Sequence, residues 1–525
     1  MQENESKRNG SKTVKRILLL TLCILISVIL LSACSSQKDP YVPTGNALGE
    51  EATPPSATEP QDQSLTLTYY REESLNPLSC SDYTNRTIMP LLYQGLFAVN
   101  RDYEVEPILC KNYRISSDMK TYTFYTEAAT FSNGSQLTAQ DVVATLQAAK
   151  ESNVYGGRFL HITEITLAED GGVKITLDTP YENLPILLDI PIIPAKDIGS
   201  TRPAGTGPYY LDESGDVARL RRRSDWWCSS DLVVTASSVT LLEAQSNTQI
   251  RDNFQFGGLN LVCADPGSDK FADYRCDFEL WNCENGIFLY LACSADSEIF
   301  AKEGMRAALT HAIDRDYLAE EYYRSFAQSA TLPASPDFPY YNQNLASKYG
   351  YDSEKFAAAV NAAGAAGSEV TLLVNSGDSL RVRVARAIAE MLTQGGLKVK
   401  MSELTGSDYT YAIQTRQFDL YLGQTILSPN MDLSAFFYTY GALSFGGIND
   451  VAAYNLCLRS LENYGNYYSL YKYVMENGLL CPVLVRSYAV YATRGVVTDL
   501  SPARDNIFCY SVGKNMEHAL LRDTE

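Results

Sequence analysis

The side chains that could carry out covalent or acid–base chemistry are few and scattered. The three histidines, His161, His311 and His518, lie far apart, and no G-x-S-x-G or single-cysteine nucleophile signature accompanies them. No glycine-rich phosphate-binding sequence is present. The sequence therefore predicts a protein that is not an enzyme.

The cysteines do not form a metal-binding pattern. There are twelve, without a C-x-x-C pair, and the gaps between Cys263, Cys276, Cys283 and Cys293 fit no usual zinc spacing. We therefore predict neither a metal nor another cofactor. A local disulfide such as Cys276–Cys283 and reduced thiols are both compatible with the sequence.

Cys34 is the cysteine whose surroundings predict a chemical modification. It follows Leu31, Ser32 and Ala33 at the end of an apolar run, residues 17–30, which is preceded by five basic residues. The run is shorter than the roughly 20 residues of a spanning helix and suits an export signal. The sequence around Cys34 resembles the lipobox of bacterial lipoproteins, which implies cleavage before Cys34 and a diacylglycerol on its thiol. We predict a signal peptide over 1–33 and a mature protein anchored by lipid at the extracytoplasmic face of a bacterial membrane, at the cell surface or in the periplasm.

The charge balance argues against a nucleic-acid partner. Removal of residues 1–33 takes away five basic and two acidic residues and changes the formal net charge from −19 to −22. An acidic surface repels phosphates. The one concentration of basic residues, Arg219 with residues 221–223, is interpreted as a solvated edge strand.

Composition divides the mature chain into a linker and folded segments. Residues 34–63 are rich in Ser, Pro, Thr, Gln and Glu and predict a flexible linker, with order beginning at an alternating strand over 65–70. Thr138 is expected to cap a helix that runs to Lys150, and strands over 162–167 and 173–177 flank a D-G-G turn. These elements indicate a small α+β unit.

The C-terminal half alternates strands and helices. Apolar patterning predicts strands over 371–374, 397–401 and 418–422, with helices over 380–392 and 409–415 between them. This β-α-β-α-β order is typical of a parallel α/β domain, in which ligands favour the carboxyl ends of the strands.

Six blocks in the same order along the chain resemble the family 5 extracellular solute-binding proteins, the peptide-binding and nickel-binding receptors of ABC importers. The blocks are residues 74–77 (SLNP), 92–96 (LYQGL), 121–142 (TYTF to FSNGSQLTAQDV), 205–210 (GTGPYY), 305–315 (MRAAL to AIDR) and 351–355 (YDSEK). The longest block is the most specific of the six.

The resemblance implies an α/β fold: a type II periplasmic-binding-protein clamshell with an extra small α+β domain. Domain I would comprise 64–94, 199–292 and 488–525, domain II 95–198, and domain III 293–487. The implied function is capture of a small solute by a monomer and delivery of that solute, by hinge closure, to an ABC permease and its ATPase. A short peptide is the solute that the resemblance favours. Alternatives are a surface receptor or sensor without transport and a cell-surface hydrolase.

The same resemblance points to a ligand-binding segment that follows the strand over 418–422. Main-chain contacts to a peptide are expected from Gly423, Gln424 and Thr425, so that Gly423→Trp should weaken binding and leave the fold intact. Leu427 stands where peptide-binding members have an amine-binding Asp. Asp432 could replace that carboxylate or simply cap a helix that begins near Leu433. The remaining candidates, on the segment after it, are Tyr438 and Tyr440.

Overall fold

The computed structural model describes residues 65–229, 236–244, 246–268, 271, 273–495, 500–504, 506–508 and 520–522. Cys34, the predicted signal peptide and linker, and His518 lie outside these ranges. Within them, no helix combines the length and apolarity needed to cross a bilayer.

The strands of the described residues, in chain order, are β1 (Leu65–Tyr69), β2 (Phe97–Val99), β3 (Val105–Pro107), β4 (Cys110–Ile115), β5 (Thr121–Thr126), β6 (Ile162–Leu167), β7 (Val173–Leu177), β8 (Tyr209–Asp212), β9 (Arg219–Arg222), β10 (Ser238–Glu243), β11 (Leu261–Ala264), β12 (Phe278–Cys293), β13 (Ala327–Ser329), β14 (Glu369–Asn375), β15 (Lys398–Leu404), β16 (Leu420–Ile426), β17 (Cys481–Thr493) and β18 (Leu520–Arg522).

The α-helices are α1 (Tyr83–Leu92), α2 (Ala139–Lys150), α3 (Asn247–Gln255), α4 (Met305–Ala312), α5 (Arg315–Tyr323), α6 (Gln343–Ala346), α7 (Ser353–Ala362), α8 (Ser379–Gln394), α9 (Gly406–Gln414), α10 (Ser434–Phe437), α11 (Val451–Glu462) and α12 (Tyr467–Glu476). Short 3-10 helices lie at Gly156–Phe159, Leu184–Leu187, Ala195–Asp197, Ser347–Tyr349 and Tyr464–Asn466.

The largest sheet has the order β11-β17-β12-β16-β14-β15, with β13 added on β17. Strands β15, β14 and β16 are parallel, as the β-α-β-α-β pattern predicts, while β12 and β17 run antiparallel to their neighbours. Helix α8 begins at the N-cap Asp378 and buries Leu380, Val384, Ile388 and Leu392, a spacing of four residues that forms one apolar face. The mixed sheet and its helices make an α/β fold.

The predicted small α+β unit contains a sheet of order β18-β4-β5-β7-β6. β6 and β7 pair antiparallel around the D-G-G turn at the predicted boundaries. Thr138 caps α2 and forms a capping box with Asp141, each side chain bonding the other residue's backbone N–H. The predicted hairpin and the predicted helix cap are confirmed, because turn chemistry and capping are local properties of the sequence.

The basic strand was predicted wrongly as a sheet edge. In the remaining larger sheet the order is β1-β10-β9-β8, so β9 pairs with a strand on each side. Arg221 and Arg222 are exposed, but Arg223 is 5% exposed and donates to the backbone carbonyls of Thr130 and Phe131. Alternation of basic side chains cannot distinguish an inner strand from an edge strand when one face of the sheet is solvated.

One hydrophobic cluster runs through all three predicted domains and includes Phe124, Leu241 and Tyr467. A second cluster, with Leu372 and Ile388, fills the C-terminal α/β layer. The three-domain boundaries therefore stay a prediction.

The suggested bridge between Cys276 and Cys283 is absent from the described part of the chain. The Cys283 thiol donates to the Ala503 carbonyl at 3.3 Å, and Cys276 is a thiol.

Candidate functional site

The free edge of β16 forms one wall of the candidate site. β16 pairs with β12 along its length, with Gly423 opposite Tyr290 and Ile426 opposite Ile287. Its other neighbour, β14, reaches only Leu420 and Tyr421. Beyond Tyr421, no described strand pairs with the edge of β16 that faces away from β12.

The backbone direction at this edge follows from one hydrogen bond. The Leu427 N–H donates to the Gly286 carbonyl at 3.0 Å, so residue 427 faces β12. In an antiparallel ladder alternate residues direct their N–H and C=O groups to opposite sides. The backbone groups of Gln424 and Ile426 therefore point to the edge without a strand partner, and the Ile426 side chain is 62% exposed.

A cavity of about 610 Å³ lies between this segment and α1. Thr425, Ile426, Leu427 and Ser428 line one side of it. The rest of the wall is largely apolar and aromatic, and includes Tyr83, Met89, Tyr93, Val99, Ile108, Tyr155, Ile287 and Tyr488. A cavity of this volume is within the range of about 300–1,000 Å³ of small-ligand sites.

The described lining also holds the charged residues Arg86, Arg158, Asp189, Glu284 and Arg504. Arg158 and Asp189 form an ion pair whose side chains are only 7% and 11% exposed. The pair joins the 3-10 turn after α2 to the segment that precedes Pro191, and so fixes the back of the cavity.

Glu284 on β12 is a half-buried carboxylate with identified donors. Tyr103 Oη donates to it at 2.7 Å and Ser335 Oγ at 2.5 Å. Burial raises the pKa of Glu284 above its ordinary value, although these two hydrogen bonds and the charge of Arg504 act in the opposite direction.

The residues predicted from the sequence are only partly brought together. Thr425 and Leu427 line the cavity, whereas Gly423 and Gln424 lie outside its lining. A Cβ on Gly423 would stand 2.4 Å from Tyr290 Cζ, and Gln424 Oε1 accepts from Arg486 at 3.4 Å.

Tyr438 and Tyr440 also lie outside the cavity lining. Their side chains are 46% and 86% exposed. Their rings meet edge to face, and Tyr438 packs against Tyr454 at 5.6 Å between ring centroids.

Asp432 is bonded within the protein. Its carboxylate lies 3.3 Å from His161 Nε2 and accepts from the backbone N–H of Ser434 at 2.9 Å. It lines only a small void beside the main cavity. α10 begins at Ser434, so Asp432 also satisfies a backbone donor at the start of that helix.

The Asp432 contact belongs to a wider junction between the small α+β unit and the C-terminal half. Asn430 Nδ2 donates to Tyr181 Oη at 2.6 Å, and the Glu182 N–H donates to the Leu461 carbonyl at 2.8 Å. The Tyr464 N–H returns a bond to the Glu182 carboxylate at 3.0 Å. Of these residues, Tyr181 and Asn430 line the small void beside the main cavity.

Sequence reasoning did not identify the charged lining. Arg86, Arg158, Asp189, Glu284 and Arg504 come from five separate segments and have no common motif. Within the described ranges, no group of three or more His, Cys, Asp or Glu side chains is arranged so that it could hold a metal ion.

A cavity at a sheet edge, lined by apolar and aromatic side chains together with several charged and polar ones, is typical of a small-ligand-binding protein of the α/β class. Residues 104–446, more than half of the chain, match the family described as bacterial extracellular solute-binding proteins, family 5. The chain belongs to this family, whose members bind solutes for ABC transporters and are not enzymes.

Individual relatives are distant. The glutathione-binding protein GsiB of Salmonella typhi is 24% identical over 349 residues, which cover 63% of this chain and 67% of that protein. Among solved structures, a putative peptide-binding protein AppA from Clostridium difficile superposes with a TM-score of 0.69 at 15% identity, over 85% of this chain and 98% of the other. NikA from Brucella suis, in complex with Fe(III)-EDTA, gives 0.65 at 18% identity, over 82% and 95%. The mixed α/β fold is that of this family.

Proposed function

We propose that this chain is the lipid-anchored substrate-binding component of an ABC importer and that its solute is a short peptide. The family establishes the general role. Peptide as the solute and Cys34 as the anchor are our proposals, and hinge closure over the cavity would deliver the solute to the permease.

The observation that carries the peptide proposal is the free edge of β16. Gln424 and Ile426 direct backbone donors and acceptors away from β12, beside a lining that includes Thr425. An extended peptide can add to such an edge as an extra strand, with main-chain hydrogen bonds that do not depend on its side chains. The tyrosines of the opposite wall offer flat surfaces for the alternate side chains.

Relatives show how varied the solutes of this family are. One relative is named as a glutathione-binding protein. Solved structures of other relatives are complexes with Fe(III)-EDTA, agropinic acid or a nonapeptide. The free sheet edge favours a peptide over a metal complex in this chain, because a metal complex does not use a row of backbone groups.

Backbone methylation tests this proposal. We would measure the affinity of the full-length protein, purified in detergent, for a library of tri- to pentapeptides and for versions methylated at single internal amide nitrogens. Each methyl removes one donor, and we expect methylation at alternate positions to weaken binding about tenfold or more, because a hydrogen bond is lost and the partner acceptor is left unpaired. Methylation at the positions between them serves as the matched control.

Equal affinity for all methylated forms would contradict strand addition. Stabilisation of the protein only by sugars or metal chelates would contradict a peptide solute. Transport is tested separately, by deletion of the chain in its host followed by peptide uptake; unchanged uptake would favour the surface receptor or sensor.

A further inference from the structure

Two carboxamide side chains in the wall of the cavity each carry a hydrogen-bond donor without an acceptor. Gln94 and Asn285 line the cavity and are 5% and 9% exposed. Within the part of the chain that the structure describes, Gln94 Nε2 and Asn285 Nδ2 have no hydrogen-bond partner, and neither atom is exposed to solvent. Folded proteins leave few buried donors unpaired, because such a donor has lost its hydrogen bonds to water. Two of them in one cavity wall indicate that a bound molecule supplies the acceptors.

The orientation of the Gln94 carboxamide is fixed by a donor. Trp227 Nε1 donates to Gln94 Oε1 at 2.9 Å, which identifies that atom as the oxygen and the other end as the NH2 group. The backbone is held as well. The Gln94 carbonyl accepts from the Ile192 N–H at 2.9 Å, and Gly95 forms a β-bridge with Pro191. Gln94 therefore holds an NH2 donor in place in the cavity wall.

Asn285 lies at an irregularity in β12. This strand pairs with β17 as far as Glu284 and again from Phe288, so Asn285 and Gly286 fall in a bulge between the two paired stretches. Asn285 Oδ1 accepts from the Ile287 N–H at 3.0 Å, and the other end of this carboxamide is again the NH2 group. Bulges re-aim side chains and are frequent next to active sites.

The two donors lie in different parts of the wall. Gln94 follows α1, across the cavity from β16, and Asn285 immediately precedes the residues of β12 that pair with β16. A peptide strand added to the edge of β16 directs alternate carbonyl groups towards β16 and away from it. The carbonyl groups that point away from β16 need donors from other parts of the cavity.

Resting on the proposed function, we infer that Gln94 and Asn285 are solute-binding residues, and that each donates a hydrogen bond to a carbonyl oxygen of the peptide that does not pair with β16. This oxygen belongs to the main chain of the peptide or to a side-chain amide. Because both donors are uncharged, recognition through them needs no charge on the solute. The two residues therefore select solutes by the position of neutral acceptors.

Isosteric variants of the full-length protein in detergent test this inference. Gln94→Glu and Asn285→Asp keep the oxygen that accepts from Trp227 or from the Ile287 N–H, and they replace the NH2 donor with a second carboxylate oxygen. We expect each variant to bind the tightest-binding peptide of the library about tenfold or more weakly, because a donor is lost and two acceptors then face each other. Circular dichroism establishes that each variant is folded.

Asn153→Asp is the matched control. Asn153 lines the same cavity but is exposed, so this substitution adds the same negative charge without removing a buried donor. N153D should bind the peptide with the affinity of the wild type. Equal losses of affinity in N153D, Q94E and N285D would assign the effect to charge and overturn the inference.

Changes in the peptide test the same two contacts from the other side. A thioamide replaces one main-chain carbonyl oxygen with sulfur, a weaker acceptor, and Leu or Met in place of Asn or Gln removes a side-chain carbonyl. We expect the wild type to lose affinity when the contacted oxygen is replaced. The same replacement should have little further effect in the variant that lacks its donor, because the two losses report one hydrogen bond. Additive losses in both variants would contradict the inference.

The outcomes separate this inference from the proposed function. If only a sugar or a metal chelate binds, and its affinity falls in Q94E and N285D but not in N153D, the peptide proposal fails and the two residues stand as solute-binding residues. If peptides bind and both variants keep the affinity of the wild type, the peptide proposal stands and the role of Gln94 and Asn285 fails.

Discussion

Gly423 shows how a residue can lie close to a ligand site for a structural reason. The sequence predicts that it contacts the solute, and that Gly423→Trp would leave the fold intact. In the structure it is opposite Tyr290 on β12, and an added Cβ would lie 2.4 Å from the Tyr290 ring. The absence of a side chain here therefore allows Tyr290 to pack across β16, and tryptophan would disturb the sheet.

We expect Gly423→Ala to destabilise the protein by about 1–3 kcal/mol, the usual cost of forcing extra volume into a packed core. Urea unfolding measures this directly. Gly199→Ala is the control, because a Cβ there meets no atom within 4 Å, and its stability should stay within about 0.5 kcal/mol of the wild type. A G423A variant as stable as G199A would show that Tyr290 can move aside at little cost.

The charged lining of the cavity illustrates the limit of residue-by-residue prediction. Leu427 could be recognised as unusual because it interrupts a continuous, recognisable segment. Arg86 and Arg504 could not be recognised as lining residues from the sequence. They lie more than 400 residues apart, and only long-range folding brings them to one cavity.

Among the elements, those fixed by local chemistry were the predictable ones. The β6–β7 hairpin and helix α2 match their predictions because a D-G-G turn and a Thr cap specify them within a few residues. β16 was predicted to end at residue 422 but continues to Ile426, because it is extended by pairing with β12, whose paired residues lie about 130 positions earlier in the sequence. Strand neighbours, and so the inner position of β9, depend on tertiary structure.

His161, which precedes β6, joins the small unit to the start of α10. It is 7% exposed, with Nδ1 3.0 Å from Asp178 and Nε2 3.3 Å from Asp432. Burial favours neutral His161, but the hydrogen bond and charge of Asp432, with those of Asp178, raise its pKa above the ordinary value. The pKa of Asp432 is lowered, since bonds from His161 and Ser434 outweigh its burial. Cys457 and Tyr454, which also face Asp432, have raised pKa values and stay neutral near pH 7.

The direction of these shifts sets a pH dependence. The stabilisation from His161 is complete below the unfolded-state pKa of about 6.5 and disappears as pH rises through the higher folded-state value. The stabilisation from Asp432 is present above about pH 3.9, the pKa of an unfolded-state Asp. It disappears as pH falls through the lowered pKa of Asp432 in the folded state. We expect the free energy of unfolding of His161→Gln to be about 3–5 kcal/mol lower than that of the wild type near pH 6, as for a broken buried pair. The decline in stability that the wild type shows above pH 6.5 should be absent from this variant.

Urea unfolding between pH 5 and 9 checks this expectation. His311→Gln is the matched control: burial lowers the pKa of His311, so its contribution weakens only as pH falls through about 6.5. H311Q should therefore keep the wild-type decline above pH 6.5. If H161Q shows the same decline above pH 6.5, the decline arises from the titration of another group.

At the scale of the whole molecule, the proposed lipid anchor connects the folded part to the membrane. We expect Cys34→Ser to remain an unprocessed precursor or to leave the membrane fraction, because the two acyl chains on the modified cysteine provide the stable attachment. Fractionation with labelled palmitate measures both outcomes. Cys23→Ser, within the predicted signal peptide, should be labelled and anchored normally. A C34S variant that is processed and still membrane-bound would contradict the lipid anchor.

The position of β17 in the large sheet determines when that sheet can form. β17 (Cys481–Thr493) lies between β11 and β12 and also holds β13, strands that precede it by about 150–230 residues. A chain that emerges from its amino end cannot complete this sheet until nearly all of it has emerged, and sheets built from distant segments form slowly. Until β17 is added, β11 and β12 expose unpaired backbone edges. Aggregation is therefore most favoured in the interval before β17 joins the sheet.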